Sequence, residues 1–176
     1  MNGDDEAEFR NFVSVRMDSL RGLAYLTCGD WQLAEDAVAA VLTKLYTRWT
    51  KVRRPDSYVR TMVVRAAIDE VRRPWWHRER VAGDAMPEPP GPDATAVLIE
   101  RLGIRAALAR LPVRQRAVLV LRFLEGLSVQ ETAEALGCPE GTVRSHTSRG
   151  LAALRPLLGD DAEPALSSAR SAQEEE

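Results

Sequence analysis

The sequence predicts an all-α protein of two small helical domains joined by a Pro-rich linker, the second containing a helix-turn-helix. Three observations predict it. Apolar residues recur at helical spacing through most of the 176-residue chain. One stretch, VAGDAMPEPPGPDAT at residues 81–95, interrupts that pattern with four prolines, two glycines and no basic residue, a composition that builds no packed element. Finally, LSVQETAEALGCPEGTVRSHTSRGLAALRPLL at residues 127–158 reads as two helices joined by a turn short enough to force a crossed pair.

Taken in order, the first long helix runs from Glu6 to Thr27, with Phe9, Phe12, Val13, Met17, Leu20, Leu23 and Ala24 on its apolar side. Gly29 breaks it. Asp30 is a good N-cap for a second helix to about Trp49, whose inward face carries Leu33, Ala34, Ala37, Val38, Val41, Leu42, Leu45, Tyr46 and Trp49. The opposite face, Gln32, Glu35, Asp36, Ala39, Ala40, Thr43 and Lys44, is rich in small residues for a solvated surface, which suits a docking partner. After Arg53, Arg54 and Pro55, Asp56 is expected to cap a third helix from Ser57 to Arg73, ended by Pro74. Tyr58, Val59, Met62, Val63, Ala66 and Val71 face inward, and Arg60, Arg65, Arg72 and Arg73 face solvent.

Trp75, Trp76, His77, Arg78 and Arg80 continue a mixture of arginine and aromatic side chains, the chemistry that holds unstacked nucleic acid by phosphate pairing and base stacking. Burial of Tyr58 in the core and of the tryptophan pair over the bundle end is the competing reading. Helical pattern resumes at about Ala96 with Val97, Leu98, Leu102, Ile104, Ala107 and Leu108. Pro112 then opens a helix holding Val118, Leu119, Leu121 and Phe123, which ends near Gly126.

Ser128 and Glu131 form a capping box at the start of the next helix. Gly137 supplies the left-handed residue at its end, and Pro139 suits the first turn of the last helix. In that last helix Val143, Thr147, Gly150, Leu151, Leu154 and Leu158 share one side. The other collects Arg144, Ser145, Ser148 and Arg149, donors able to meet phosphates and base edges. An ordinary antiparallel helix pair with solvated arginines is the alternative. The tail at 159–176 has no periodicity and ends in three glutamates, so it is expected to be disordered.

A net charge of −2 conceals a block pattern: −4 over residues 1–47, +6 over 48–80, −4 over 81–100, +5 over 101–158 and −5 over 159–176. A polyanion responds to local charge within a Debye length of about 8–10 Å, so the two basic blocks are candidate nucleic-acid surfaces despite the acidic total. No run approaches the roughly 20 apolar residues of a membrane span, and the N-terminus is acidic, so a cytoplasmic location without membrane association is expected. Cys28 and Cys138 lack metal-ligand spacing and suit small-residue packing. His77 and His146 lack sequence-adjacent partners and read as surface residues. With no Gly-rich phosphate loop, metal-type cluster or nucleophile elbow, an enzyme is not expected, nor is a cofactor.

The phrases LRGLAYLTCGDWQLAEDAV, SYVRTMVVRAAIDEVRR, LARLPVRQRAVLVLRFLEGLSVQETAEALGCPEGTVRS and RGLAALR, in this order, resemble a bacterial sigma factor of the extracytoplasmic-function group, small actinobacterial type. The resemblance implies that residues 1–80 bind core RNA polymerase and melt the downstream promoter element, and that residues 96–158 read the upstream element. It assigns polymerase docking to Glu35, Asp36, Lys44 and Arg48. Melting and capture of the non-template single strand fall to Tyr58, Arg60, Arg65, Asp69, Arg72 and Arg73, and upstream readout to Arg144, Ser145, Ser148 and Arg149. It leaves room for an anti-sigma factor as a further partner.

Two departures stand out. Ala39 and Ala40 replace a Gln and an acid common in the family, and Arg65 replaces an Asn in the base pocket. The other reading of the chain is a stand-alone helix-turn-helix regulator, against which the long N-terminal helices and the second basic block weigh.

Overall fold

The computed structural model describes residues 3–73 and 103–158. Trp75, Trp76 and His77, the start of the helical pattern at Ala96 to Leu102, the stretch 81–95 and the tail 159–176 lie outside the described residues.

Helix α1 (Gly3–Cys28) places Asp4, Asp5 and Glu6 in its first turn, where carboxylates complement the exposed N–H groups. Its C-terminal half is the buried part: Leu20, Leu23, Ala24, Thr27 and Cys28. The Thr27 hydroxyl donates to the Leu23 carbonyl at 2.9 Å, so a polar group sits in the core with its hydrogen bond made. Gly29, at φ 80°, turns the chain, and Asp30 accepts from the Leu33 N–H at 3.0 Å to cap α2 (Trp31–Tyr46). Ala34 and Ala37 are wholly buried, small enough for the helices to approach closely, while Val38, Val41 and Leu45 fill the space beyond them. Tyr46, expected inward, is 43% exposed. It ends α2, and its ring meets Phe9 edge-on, at 5.2 Å between centroids. Trp49, in a short 3-10 turn (Trp49–Lys51), is buried against Phe9 and Phe12.

Helix α3 (Pro55–Arg72) starts two residues before the expected Ser57. Pro55 takes the first turn, where a missing N–H costs nothing. Asp56 lies inside that turn instead of capping it and pairs with Arg16 of α1 at 2.7 Å. Val59, Val63, Val64, Ala67 and Ile68 are its buried stripe.

In the second half, residues 103–109 form α4, followed by α5 (Val113–Leu119), a π-helical turn (Val120–Leu124), α6 (Val129–Leu136) and α7 (Glu140–Leu158). Within the π turn, Phe123, expected inward, is 40% exposed, while Arg122, one helical turn beyond the buried Val118, is itself buried. The Arg122 guanidinium answers its burial by donating to the Leu127 carbonyl at 2.7 Å. Ile104 is likewise 40% exposed.

Ala107, Leu108, Leu111, Leu119 and Leu154 form one small core, and Val118, Val129, Ala133 and Val143 another. A Cβ added at Gly150 would lie 2.9 Å from Leu119, which is how closely α7 crosses α5. The largest cluster crosses between the halves. Ala117, Val120, Leu121 and Ala135 belong to the same buried group as Leu20, Val41, Val59 and Val63.

Candidate nucleic-acid interface

The helix-turn-helix is built as its sequence indicates. The Ser128 hydroxyl accepts from the Glu131 N–H at 3.1 Å, and the Glu131 carboxylate accepts from the Ser128 N–H at 2.8 Å, which fixes the start of α6. Hydrogen bonding from the Ser128 backbone N–H, and then from the Ser128 side chain, holds the Glu131 carboxyl below its ordinary pKa. Gly137 ends α6 at φ 61° and ψ 44°, and the Cys138 N–H returns to the Ala133 carbonyl at 3.1 Å. The turn is thereby fixed at both ends.

Helix α7 then presents two unlike faces. Val143, Thr147, Gly150 and Leu154 are buried, with the Thr147 hydroxyl bonded to the Val143 carbonyl at 2.9 Å. Arg144, Ser148 and Arg149 are exposed and Ser145 is half-buried. Arg144 bonds Glu140, one turn earlier, at 3.1 Å, an exposed pair that DNA phosphate can displace at small cost. His146 lies at the edge of this face with its Nδ1 atom buried and without a hydrogen-bond partner. Burial, then Arg149 and Arg114, lower its pKa and favour the neutral ring.

Glu35, Asp36, Ala39, Ala40, Thr43 and Lys44 of α2, and Arg48 just beyond its end, are all exposed. Glu35 is bonded to Arg21 of α1 at 2.8 Å. This face is polar and open.

On α3 the candidate residues are divided. Asp69 and Arg72 are exposed, Tyr58 packs partly against the core, and Arg73 pairs with the buried Glu70 at 3.0 Å. Arg60 and Arg65, expected to face solvent, also meet the second half of the chain; Arg60 is half-buried there, while Arg65 stays exposed as expected. Arg60 Nη1 lies 2.8 and 2.9 Å from the two carboxylate oxygens of Glu125. Arg65 donates from Nε to the Ala135 carbonyl and from Nη2 to the Glu134 carbonyl, the latter at 2.6 Å. Asp69 takes neither bond, although it stands one turn away. Glu125 and the two α6 carbonyls were not legible as partners in the sequence, because a contact across some 65 residues leaves no periodic or motif signal.

A third contact joins the halves where Arg116, buried on α5, reaches over Gly29 and donates to the Leu111 carbonyl at 3.3 Å. Its burial lowers its pKa, and the neighbouring Cys28 thiol is raised, chiefly by its own burial. That thiol donates to the Asp30 carbonyl at 3.1 Å, in keeping with a packing role for Cys28. Among the described residues no group of three or more His, Cys, Asp or Glu is arranged to hold a metal ion, and no helix is long and apolar enough to cross a membrane.

A helix-turn-helix with arginines and hydroxyls on its open face, attached to a helical unit with a second arginine-bearing helix, defines a DNA-binding protein. Comparison with known proteins narrows the class. The sigma-70 region 2 family matches residues 13–77, and the sigma-70 region 4 family matches residues 101–154. RNA polymerase sigma-E factor of Streptomyces coelicolor is 36% identical over 157 residues, covering 86% of each chain. ECF RNA polymerase sigma factor SigM of Mycobacterium tuberculosis is 34% identical over 143 residues, covering 80% of this chain and 71% of its own. ECF RNA polymerase sigma factor SigW of Bacillus subtilis is 27% identical over 177 residues, covering 90% and 92%. The chain belongs to the extracytoplasmic-function group of the sigma-70 family and is a sigma factor, directing promoter recognition and transcription initiation.

Proposed function

We propose a division of this work among three faces. The polar face of α2, through Glu35, Asp36 and Lys44, docks on core RNA polymerase together with Arg48 just beyond the helix. The face of α3 bearing Tyr58, Arg60, Arg65, Asp69, Arg72 and Arg73 captures the non-template strand as the downstream element melts. The open face of α7, through Arg144, Ser145, Ser148 and Arg149, reads the upstream element. Residues 1–80 and 96–158 are the two functional units in this reading, with 81–95 as their linker. An anti-sigma factor is its regulatory partner, and the cytoplasm its location.

One observation carries the reading furthest. The buried stripe of α7 leaves Arg144, Ser148 and Arg149 as the surface that a major groove would meet, on a helix whose entry turn is fixed by the capping box and Gly137. No catalytic group is needed. Duplex contacts position the polymerase, and stacking of about 1–3 kcal/mol per base offsets the few kcal/mol lost when a base leaves the helix.

The test is run-off transcription with core polymerase and genomic DNA, which maps new start sites, followed by Arg144→Ala and Arg149→Ala on a promoter that needs its upstream element. Each substitution should weaken that promoter by about 1–3 kcal/mol, the worth of a good groove contact, with the circular dichroism spectrum unchanged. Wild-type transcription by both variants would show that α7 does not read DNA. A stand-alone regulator would produce no new start site.

A further inference from the structure

Helix α5 crosses α7 and brings an arginine of its own to the edge of the DNA-reading face. We infer that Arg114, in the first turn of α5, is a further DNA-binding residue: beside Arg149 it holds a backbone phosphate at the rim of the groove that α7 enters, adding affinity without sequence discrimination. The inference rests on the assignment of Arg144, Ser145, Ser148 and Arg149 to the upstream element.

Packing sets where this arginine stands. Val118 is buried in one cluster with Val143 of α7, and a Cβ added at Gly150 would lie 2.9 Å from Leu119. Helix α5 therefore crosses α7 within the span from Val143 to Gly150. Arg114 lies one helical turn before Val118, and His146 lies inside that span of α7. The His146 ring registers both neighbouring guanidiniums. Burial first, then Arg149 and then Arg114, lower its pKa, so the ring stays neutral and adds no third charge. The approach of Arg114 to the Arg149 side of α7 is thus fixed by apolar contacts, not by a flexible loop.

Both arginines are exposed, and neither has a carboxylate partner among the described residues. Arg144, by contrast, is bonded to Glu140. Two like charges brought near one position repel, and an anion placed against both replaces that repulsion with two attractions. A planar guanidinium fork matches phosphate oxygens. Which part of the DNA Arg114 meets follows from the helix that carries it. Base edges lie in the groove, under the α7 residues Arg144 and Ser148, whereas a side chain standing beside α7 meets the sugar-phosphate wall.

The test uses holoenzyme assembled from core polymerase and the full-length chain. Its ligands are a fluorescent promoter duplex and the same duplex with the upstream element scrambled, both kept cold enough to stay closed. Arg114→Ala should weaken both duplexes by the same factor, at least about threefold at low salt. It should also lower the slope of log affinity against log salt by about 0.9, so that the advantage of wild type shrinks about 3.5-fold between about 50 and 200 mM salt. Arg114→Lys keeps a point charge and should keep most of that slope. Arg10→Ala, on the exposed start of α1, removes the same charge elsewhere and should leave the slope unchanged. Arg144→Ala should weaken the intact element more than the scrambled one.

An unchanged salt slope in Arg114→Ala, while Arg144→Ala and Arg149→Ala still lose the upstream element, overturns the inference and leaves α7 as the reading helix. A loss confined to the intact element makes Arg114 a base contact and overturns it as well. Weaker binding of core polymerase by Arg114→Ala in the absence of DNA would make this end of α5 a protein-docking surface instead. Wild-type DNA binding by all three alanine variants places the fault in the reading of α7, and the phosphate contact falls with it.

Discussion

Gly29 shows how one residue can serve a local turn and a distant contact together. At φ 80° it adopts a backbone conformation that a side chain disfavours, and a Cβ there would lie 2.4 Å from Arg116 Nη1. Gly29→Ala is expected to cost about 1–2 kcal/mol from the left-handed backbone alone. The guanidinium is the far end of a flexible side chain and can move aside, so urea denaturation should show a loss in this range, not a failure to fold. Glu131 provides a pH signature. Its folded pKa lies below the ordinary carboxylate value, so its contribution is fully present above that value and is lost as pH falls through the depressed folded pKa. Glu131→Gln keeps a capping-box partner but cannot titrate, so its acid-side stability profile should be flatter than wild type over that window. Identical acid profiles would show that the box contributes nothing through charge.

Among the elements, α2 carries the test of polymerase docking. Its exposed Ala39 and Ala40 lie between Glu35, Asp36 and Lys44 and supply no polar group to a partner. Ala39→Gln with Ala40→Glu is expected to tighten assembly with core polymerase by roughly 0.5–1.5 kcal/mol for each hydrogen bond gained. Competition for core polymerase between the variant and wild type measures this directly, and equal affinities would place the docking face elsewhere. The π turn is a different case at this scale. It follows α5, carries the exposed Phe123 and the buried Arg122, and ends one residue before Glu125, the partner of Arg60. Side-chain spacing in VLRFLEG reads as one continuing helix, because a helix widened by one residue is written in the same residue types as a regular one.

For the molecule as a whole, the shared core couples halves that the sequence places on either side of a Pro-rich stretch. Leu121 is 1% exposed and belongs to the cluster built largely from α1, α2 and α3. Leu121→Ala should cost about 2–5 kcal/mol, the range for a buried leucine removed from a packed core. All four tryptophans precede residue 81, so their fluorescence reports on the first half. If the halves are coupled, the unfolding midpoint seen by tryptophan should fall together with that seen by circular dichroism. A tryptophan midpoint that stays in place would mean that the halves unfold independently.

By itself the sequence determined the course of the helices, the caps of α2 and α6 and the inward stripe of α7, though not the start of α3, because capping boxes, left-handed glycines and a 3.6-residue period are local features set within a few neighbouring residues. It also determined the family, since LRGLAYLTCGDWQLAEDAV and the helix-turn-helix phrase are contiguous strings. Tertiary structure alone decided where Arg60 and Arg65 point. Spacing identifies them as solvent-side residues of α3, and in the folded chain Arg65 is still exposed while Arg60 is half-buried. Their partners, Glu125 and the carbonyls of Glu134 and Ala135, lie some 65 to 70 residues further along the chain, and two of the three are backbone atoms that every residue carries. A long-range bond to a carbonyl is specified by how two apolar surfaces pack, and that is a property of the assembled core.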